Sequence, residues 1–377
     1  MKIGIDISLT IGEKAGVGYY TANLVDALAK IDRINQYMLY PFFYHIYHPE
    51  FKTAVTPSQK NFHLHSEKMP EKIIYRLWHS PIPRKWILGN VDILHSTTFC
   101  APRDHYGKLI LTIYDISFLT FPECHTEANR RHCLKGTLDA IRYADCIIAI
   151  SNHGKQELVK YFDVDPDKIV VTHLAAKGIF VPCGLEEQNR VLEKYGIPRD
   201  FIFTVGSYEP RKNIGTLVRA YVNLPENVKN QHPLVIAGGK GWLNSDIDAL
   251  IESQASSMIR RIGYVDEQDL PALYSAAAAF VYPSLYEGFG IPILEAMSCG
   301  TPVITSNTSS MPEISGDAAL FFDPTNVKQL ITLLLEVIGN EKLREELSRK
   351  GIERAKQFSW EKTARATLKI YEDLYSR

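Results

Sequence analysis

The chain lacks most of the features that would assign it to a specialised class. Its six cysteines form no CxxC pair and show no metal-ligand spacing, which argues against a zinc module or a disulfide-stapled domain. Most of them sit beside apolar residues, the pattern of buried free thiols in a reducing compartment. No apolar run approaches the roughly 20 residues of a membrane-spanning helix. The opening MKIGIDISL is short, carries Asp6 and reads as a strand rather than a secretory signal, so a cytoplasmic protein is expected. A net charge of −1 provides no basic excess for general nucleic-acid binding.

What is present is a soluble, globular composition, 45% hydrophobic and 23% charged, spread over 377 residues. That length exceeds one ordinary core and suits two domains of about 150–200 residues. Short apolar runs alternate with helical patterns. Strands are expected at 2–8, 37–43, 91–96, 108–115, 145–151 and 168–174, with helices over 18–31, 124–143 and, capped by Ser151, 152–162. Residues 178–198 hold glycine, proline and charge but no strand, and read as a connector. A second series follows at 201–207, 233–239, 258–265, 277–284 and 301–306, then a helix-rich end from about Asn326. Strands separated by helices predict parallel, doubly wound α/β sheets in two Rossmann-like domains. The expected boundaries are 1–180 and 199–359, with 181–198 as linker.

Three turns could meet an anion. In EKAGVGYYTANL, Gly16 and Gly18 sit between a strand and a helix, where backbone amides can approach a ligand. The third glycine of a dinucleotide fingerprint would fall at Thr21, so that pattern is incomplete. In VGSYEPRKNIGTLVRAY, Arg211 and Lys212 precede a helix whose dipole disfavours positive charge, and a bound phosphate would offset the repulsion. Two solvated surface charges are the plainer alternative. In LYEGFGIPILEAMSCGTPVI, Gly288, Phe289 and Gly290 lead into a helix with Pro292 in its first turn. Glu287 borders that turn. Glu295, one turn into the helix, tilts back toward it. The spacing thus predicts two carboxylates facing one anion-binding turn.

These stretches together resemble the retaining GT-B glycosyltransferases of family GT4. The likeness spans almost the whole chain and includes TIYDISFLTFPE (112–123), SSMPEISGDAALFFDP (309–324) and FSWEKTA (358–364). The resemblance implies two Rossmann-like domains facing across a cleft, with a last helix (about 360–377) returning to the first. It implies that Arg211 and Lys212 neutralise a diphosphate leaving group, that Glu287 contacts hydroxyls of the transferred sugar, and that Glu295 contacts the nucleotide ribose. Gly16 would approach the phosphate from the N-terminal side, and Asp115 is the acceptor-side candidate, with His95 beside it at a strand end. Ser207 stands where many relatives carry arginine, which leaves that charge to Arg211. Tyr114 stands where some carry histidine.

Val265, Asp266 and Glu267 fall in the segment that lines the base pocket in relatives. A carboxylate there suits guanine N1–H and N2–H, although Asp266 also reads as a helix cap. The expected activity is α-mannose transfer from GDP-mannose, without metal or cofactor, to a lipid-linked glycan in polysaccharide or lipopolysaccharide assembly. A UDP- or dTDP-sugar donor, a sugar-nucleotide epimerase and a non-catalytic sugar-binding or scaffold protein are the alternatives. Residues 71–87 interleave Lys72, Arg76, Arg84 and Lys85 with Ile73, Trp78, Trp86 and Ile87. They read either as a patch for peripheral membrane contact or as a packed surface helix.

Overall fold

The computed structural model describes residues 1–11, 16–43, 55–65, 71–78, 80–98, 101–239, 251 and 258–377. The chain divides into one unit of Met1–Leu174 with Ser359–Arg377, and a second of Ala175–Phe358. The first carries strands β1 (Lys2–Asp6), β2 (Gln36–Tyr40), β3 (Phe62–Leu64), β4 (Ile93–Ser96), β5 (Lys108–Ile113), β6 (Cys146–Ala149) and β7 (Ile169–Val171). Among the described residues they form one parallel sheet in the order β3-β2-β1-β4-β5-β6-β7.

Two of these strands stop earlier than their apolar runs suggest, and the same tripeptide stops both. In Asp6-Ile7-Ser8 and in Asp115-Ile116-Ser117 the aspartate Oδ1 accepts from the serine backbone N–H at 2.9 Å and from its hydroxyl at 2.7 Å. This local bond turns the backbone out of the ladder. The helix Trp360–Tyr375 lies against the helix Gly16–Ile31. Thr363 donates to the His173 carbonyl at 2.6 Å, and the Tyr371 hydroxyl hydrogen-bonds His95 Nδ1 at 2.7 Å.

The second unit holds β8 (Phe201–Val205), β9 (Leu234–Ala237), β10 (Ile259–Gly263), β11 (Ala277–Tyr282), β12 (Val303–Ser306) and β13 (Ala319–Phe322), all parallel in the order β10-β9-β8-β11-β12-β13. Side chains alternate between two buried faces. Phe201, Phe203, Phe280 and Tyr282 enter one core, while Ile202, Ala279 and Val281 enter the other. Burial on both sides is why these strands read as unbroken apolar runs.

Residues 178–198, read above as a connector, contain the helix Leu185–Tyr195. Val191, Leu192 and Ile197 belong to the second unit's core. The helix carries many charges, yet one stripe of it is apolar enough to pack.

Candidate active site

In both sheets the strand order reverses beside the first strand of the series, between β1 and β4 and between β8 and β11. Loops leaving the carboxyl ends of neighbouring strands diverge at such a point and open a crevice. Arg211 and Lys212 follow β8, and Glu287 follows β11. The two loops are tied by backbone and side chain. Leu285 N–H donates to the Arg211 carbonyl at 2.8 Å, and Asn213 Nδ2 donates to the carbonyls of Pro283 at 3.0 Å and Pro324 at 2.9 Å. Asn213 adopts φ +53°, a left-handed value that asparagine tolerates and that places the preceding cations at the start of the helix Ile214–Val222.

The two cations meet a carboxylate. Lys212 Nζ lies 2.8 Å from Glu287 Oε1 and Arg211 Nη1 lies 2.9 Å from Glu287 Oε2. Lys212 also donates to the Tyr282 hydroxyl at 2.9 Å. Burial by itself would raise the Glu287 carboxyl, but Arg211 and Lys212 outweigh it and hold the group at about 2. Burial would likewise lower the Lys212 ammonium, and Glu287 holds it above its usual range. The charge repulsion that the sequence pattern assigns to a bound phosphate is thus balanced within the chain. Glu209 adds a second carboxylate 3.5 Å from Arg211, so the four charges cancel. Ser207 donates to Glu209 Oε1 at 2.5 Å, which makes it a support for that carboxylate.

The loop carrying Glu287 is pinned from the segment after β12. Glu287 N–H donates to Ser309 Oγ at 3.0 Å, and Ser310 Oγ donates to the carbonyls of Glu287 at 2.8 Å and Phe289 at 2.9 Å. Gly290, at φ +100°, makes the turn into the helix Ile291–Ser298, where Pro292 occupies the first turn. Phe289 is buried, with its ring 6.1 Å from that of Phe358.

Glu295 does not join Glu287. Its Oε2 accepts from the buried Tyr274 hydroxyl at 3.0 Å, and burial pushes its carboxyl up to about 7. Glu267 and Lys177 act on it as well, in opposite senses. The expected pair of carboxylates facing one turn is therefore corrected to two clusters. A helical glutamate eight positions after a loop residue can face another neighbour, and nothing in the spacing selects which.

Several base-side and acceptor-side expectations also change. Glu267 is not a free acceptor, because Lys177 Nζ donates to its two oxygens at 2.6 and 2.7 Å. Asp266 does not cap the helix Leu270–Ala276. Asp269 immediately precedes that helix without a side-chain cap bond, while Asp266 takes Lys194 at 2.8 Å. The Val265 side chain is buried in the core. His95 is completely buried, bonded to Tyr371 and to Thr112 at 2.7 Å, and burial pushes it down to about 3, so it is a neutral core histidine. Asp115 lies beyond the end of β5, held by Ser117, whose hydroxyl is 3.0 Å from His125 Nε2. Gly16 is the exposed first residue of its helix and Gly18 is buried within it, whereas residues 13–15 of that motif lie outside the described residues. Gly16, Gly18, His95 and Asp115 belong to the first unit and the remaining candidates to the second.

Comparison with known proteins fixes the family. Residues 187–354 match the model described as glycosyl transferases group 1, and residues 15–175 match glycosyltransferase family 4. The chain is 36% identical over 366 residues to the O-antigen chain mannosyltransferase B of Escherichia coli, covering 95% of this chain and 96% of that protein. The chain is a family 4 glycosyltransferase.

The transferase is also 32% identical over 286 residues to the serotype-specific mannosyltransferase WbdA of Escherichia coli, 74% of this chain but 35% of that longer protein. A sucrose-phosphate synthase from Thermosynechococcus elongatus superposes with a TM-score of 0.74 at 20% identity, covering 100% of this chain and 99% of that one. The fold is GT-B. Sequence reasoning missed Tyr282, Ser309, Ser310, Glu209, Tyr274 and Lys177 as contacts of the candidate residues. Ser309 and Ser310 stand out in the sequence only through the resemblance, Glu209 lies inside the Arg211–Lys212 motif with no role assigned to it, and the other three carry no motif that points to them.

Proposed function

We propose that this transferase moves α-mannose from GDP-mannose to a growing cell-surface polysaccharide, with retention of the anomeric configuration. The observation that carries the reading is the pair Arg211 and Lys212, held with Glu287 where the loops after β8 and β11 diverge. In such a transfer the anomeric C–O bond breaks toward an oxocarbenium-like state, and negative charge grows on the departing diphosphate. Cations fixed at that position stabilise the transition state more than the ground state.

The incoming diphosphate competes with Glu287 for both cations. As they turn to phosphate oxygens, the Glu287 carboxylate is released to accept from hydroxyls of the transferred sugar. Glu295 accepts from the ribose, and Asp115 serves the acceptor side. No protein nucleophile is assigned. The leaving phosphate takes the proton of the acceptor hydroxyl, which attacks from the same face. Arg211 and Lys212 supply the charge a divalent metal would bring, so transfer is expected to persist in EDTA.

The names of the mannosyltransferase relatives support mannose. Guanine, however, would have to take Asp266 from Lys194 or Glu267 from Lys177, and these pairings favour keeping a UDP- or dTDP-sugar as the second reading. The exposed Ile73 and Trp86, with the exposed Arg76 nearby in sequence, support peripheral contact with an anionic lipid surface, which suits a lipid-linked acceptor.

The test is calorimetric titration with GDP, UDP, dTDP and ADP, then turnover of GDP-mannose with a lipid-linked mannosyl acceptor and NMR of the product's anomeric coupling. Selective GDP binding, lost in Lys212→Ala, with an α product is expected. Selective UDP or dTDP binding replaces the donor, and a β product removes retention.

A further inference from the structure

Three consecutive hydroxyls follow β12, and each bonds the backbone of the loop that carries Glu287. Thr308 Oγ1 donates to the Leu285 carbonyl at 2.9 Å, Ser309 Oγ accepts from Glu287 N–H at 3.0 Å, and Ser310 Oγ donates to the carbonyls of Glu287 and Phe289. The segment has anchors of its own. Asn307 N–H donates to the Phe322 carbonyl of β13 at 2.9 Å, and the fully buried Ser310 leads into the short helix Met311–Ser315. Ser309 is the member that departs from ordinary geometry. It adopts φ +50°, a left-handed value that a residue with a Cβ takes only at a cost. Such strain persists where the surroundings over-determine it. Here the turned backbone presents the serine hydroxyl to the N–H of a buried glutamate.

We infer that Ser309 is a positioning residue for sugar transfer: its left-handed backbone and its hydroxyl hold Glu287 in place once Arg211 and Lys212 have turned to the donor's diphosphate. This rests on the reading of Glu287 as the contact to hydroxyls of the transferred sugar. While both ion pairs are made, the Glu287 side chain is restrained by its two cations. A diphosphate that takes the cations removes both restraints together. The carboxylate then keeps its place through its own main chain, with the N–H on Ser309 and the carbonyl on Ser310. Loss of the Ser309 acceptor therefore spares binding of a nucleoside diphosphate, which needs the cations. It slows the step in which a precisely placed Glu287 meets the sugar.

The experiment compares Ser309→Gly and Ser309→Ala with wild type. GDP and UDP are titrated by calorimetry, and transfer from GDP-mannose, with UDP-glucose in parallel, is followed to the lipid-linked mannosyl acceptor. Glycine takes φ +50° without strain and removes only the acceptor, whereas alanine removes the acceptor and keeps the strain. Both variants are expected to lose about tenfold in kcat, the size of one hydrogen bond's effect. Affinity for the diphosphate that wild type binds is expected to stay within about twofold, because that contact is made by the cations. Rates are taken per nucleotide-binding site, so unfolded protein does not count.

Kcat retained in Ser309→Gly and lost in Ser309→Ala means that conformation alone matters, and overturns the inference. So does a fall in diphosphate affinity as large as the fall in kcat, or a loss of binding sites that accounts for the whole loss of rate. Glu287→Gln tests the underlying reading separately. If it transfers sugar at the wild-type rate per site, or if wild type turns over neither donor, that reading fails and the inference with it. If Glu287→Gln is slow while both Ser309 variants keep the wild-type rate, the reading stands and the inference alone is overturned.

Discussion

Glu287 shows how much one side chain can carry. It is 7% exposed and lies within 3 Å of two cations, so Glu287→Gln leaves Arg211 and Lys212 buried against each other's charge. Loss of one partner from a buried network costs about 3–5 kcal/mol, and a clear fall in Tm at neutral pH is the expected outcome. The pH dependence has a definite sign. The folded carboxyl, at about 2, lies below the ordinary glutamate value, so the stabilisation is full above that ordinary value. It declines as pH falls through 4 toward 2. Thermal melts of wild type and variant should therefore converge as the buffer is taken from pH 6 to pH 2.5. A constant gap would mean that shape, not charge, sets the difference. At this scale the sequence exposed Arg211, Lys212 and Glu287 as a group, but not that they neutralise one another, because their contact joins positions about 75 residues apart.

At the scale of elements, the carboxyl ends of β8, β9 and β10 are stitched together by glycine. Gly206 N–H donates to the Ala237 carbonyl at 3.0 Å, and Gly238 N–H donates to the Gly263 carbonyl at 2.7 Å. Gly238 has φ +130°, and a Cβ there would collide with the Gly206 carbonyl. Gly238→Ala must push apart the strand ends that set the loop of Arg211 and Lys212. A stability loss of about 1–3 kcal/mol is expected, together with weaker nucleotide binding; calorimetry on the folded fraction separates the two effects.

The helices Glu71–Trp78 and Arg84–Leu88 make a different point. Trp78 stacks on Phe43 with ring centroids 4.8 Å apart, whereas Trp86 is 68% exposed. The sequence pattern treated both tryptophans alike, and only packing divided them. If the exposed one meets lipid, Trp86→Ser reduces co-sedimentation with vesicles of anionic lipid and leaves nucleotide affinity unchanged. Equal sedimentation of the two proteins would remove the lipid contact.

For the whole molecule, the end of the chain belongs to the unit that begins it. Tyr20 faces Trp360 at 6.1 Å between ring centroids, and Tyr371 completes the hydrogen bonding of His95 in the first unit's core. Removal of 359–377 is expected to lower the calorimetric transition of the first unit and leave that of the second, residues 175–358, near its original temperature. Tyr371→Phe isolates one contact: it leaves a buried imidazole nitrogen short of a partner, at about 1–3 kcal/mol.

The sequence by itself determined the parallel α/β architecture, the two-fold series of strands, the glycine turns and the family. These are written locally, in period, in turn chemistry and in short motifs. Tertiary structure alone decided that 185–195 packs as a helix, that His95 is core, that Lys177 holds Glu267, and that Glu287 and Glu295 serve separate clusters. Each of those outcomes depends on which distant side chain fills the space and charge beside a residue. Spacing along the chain carries no record of that.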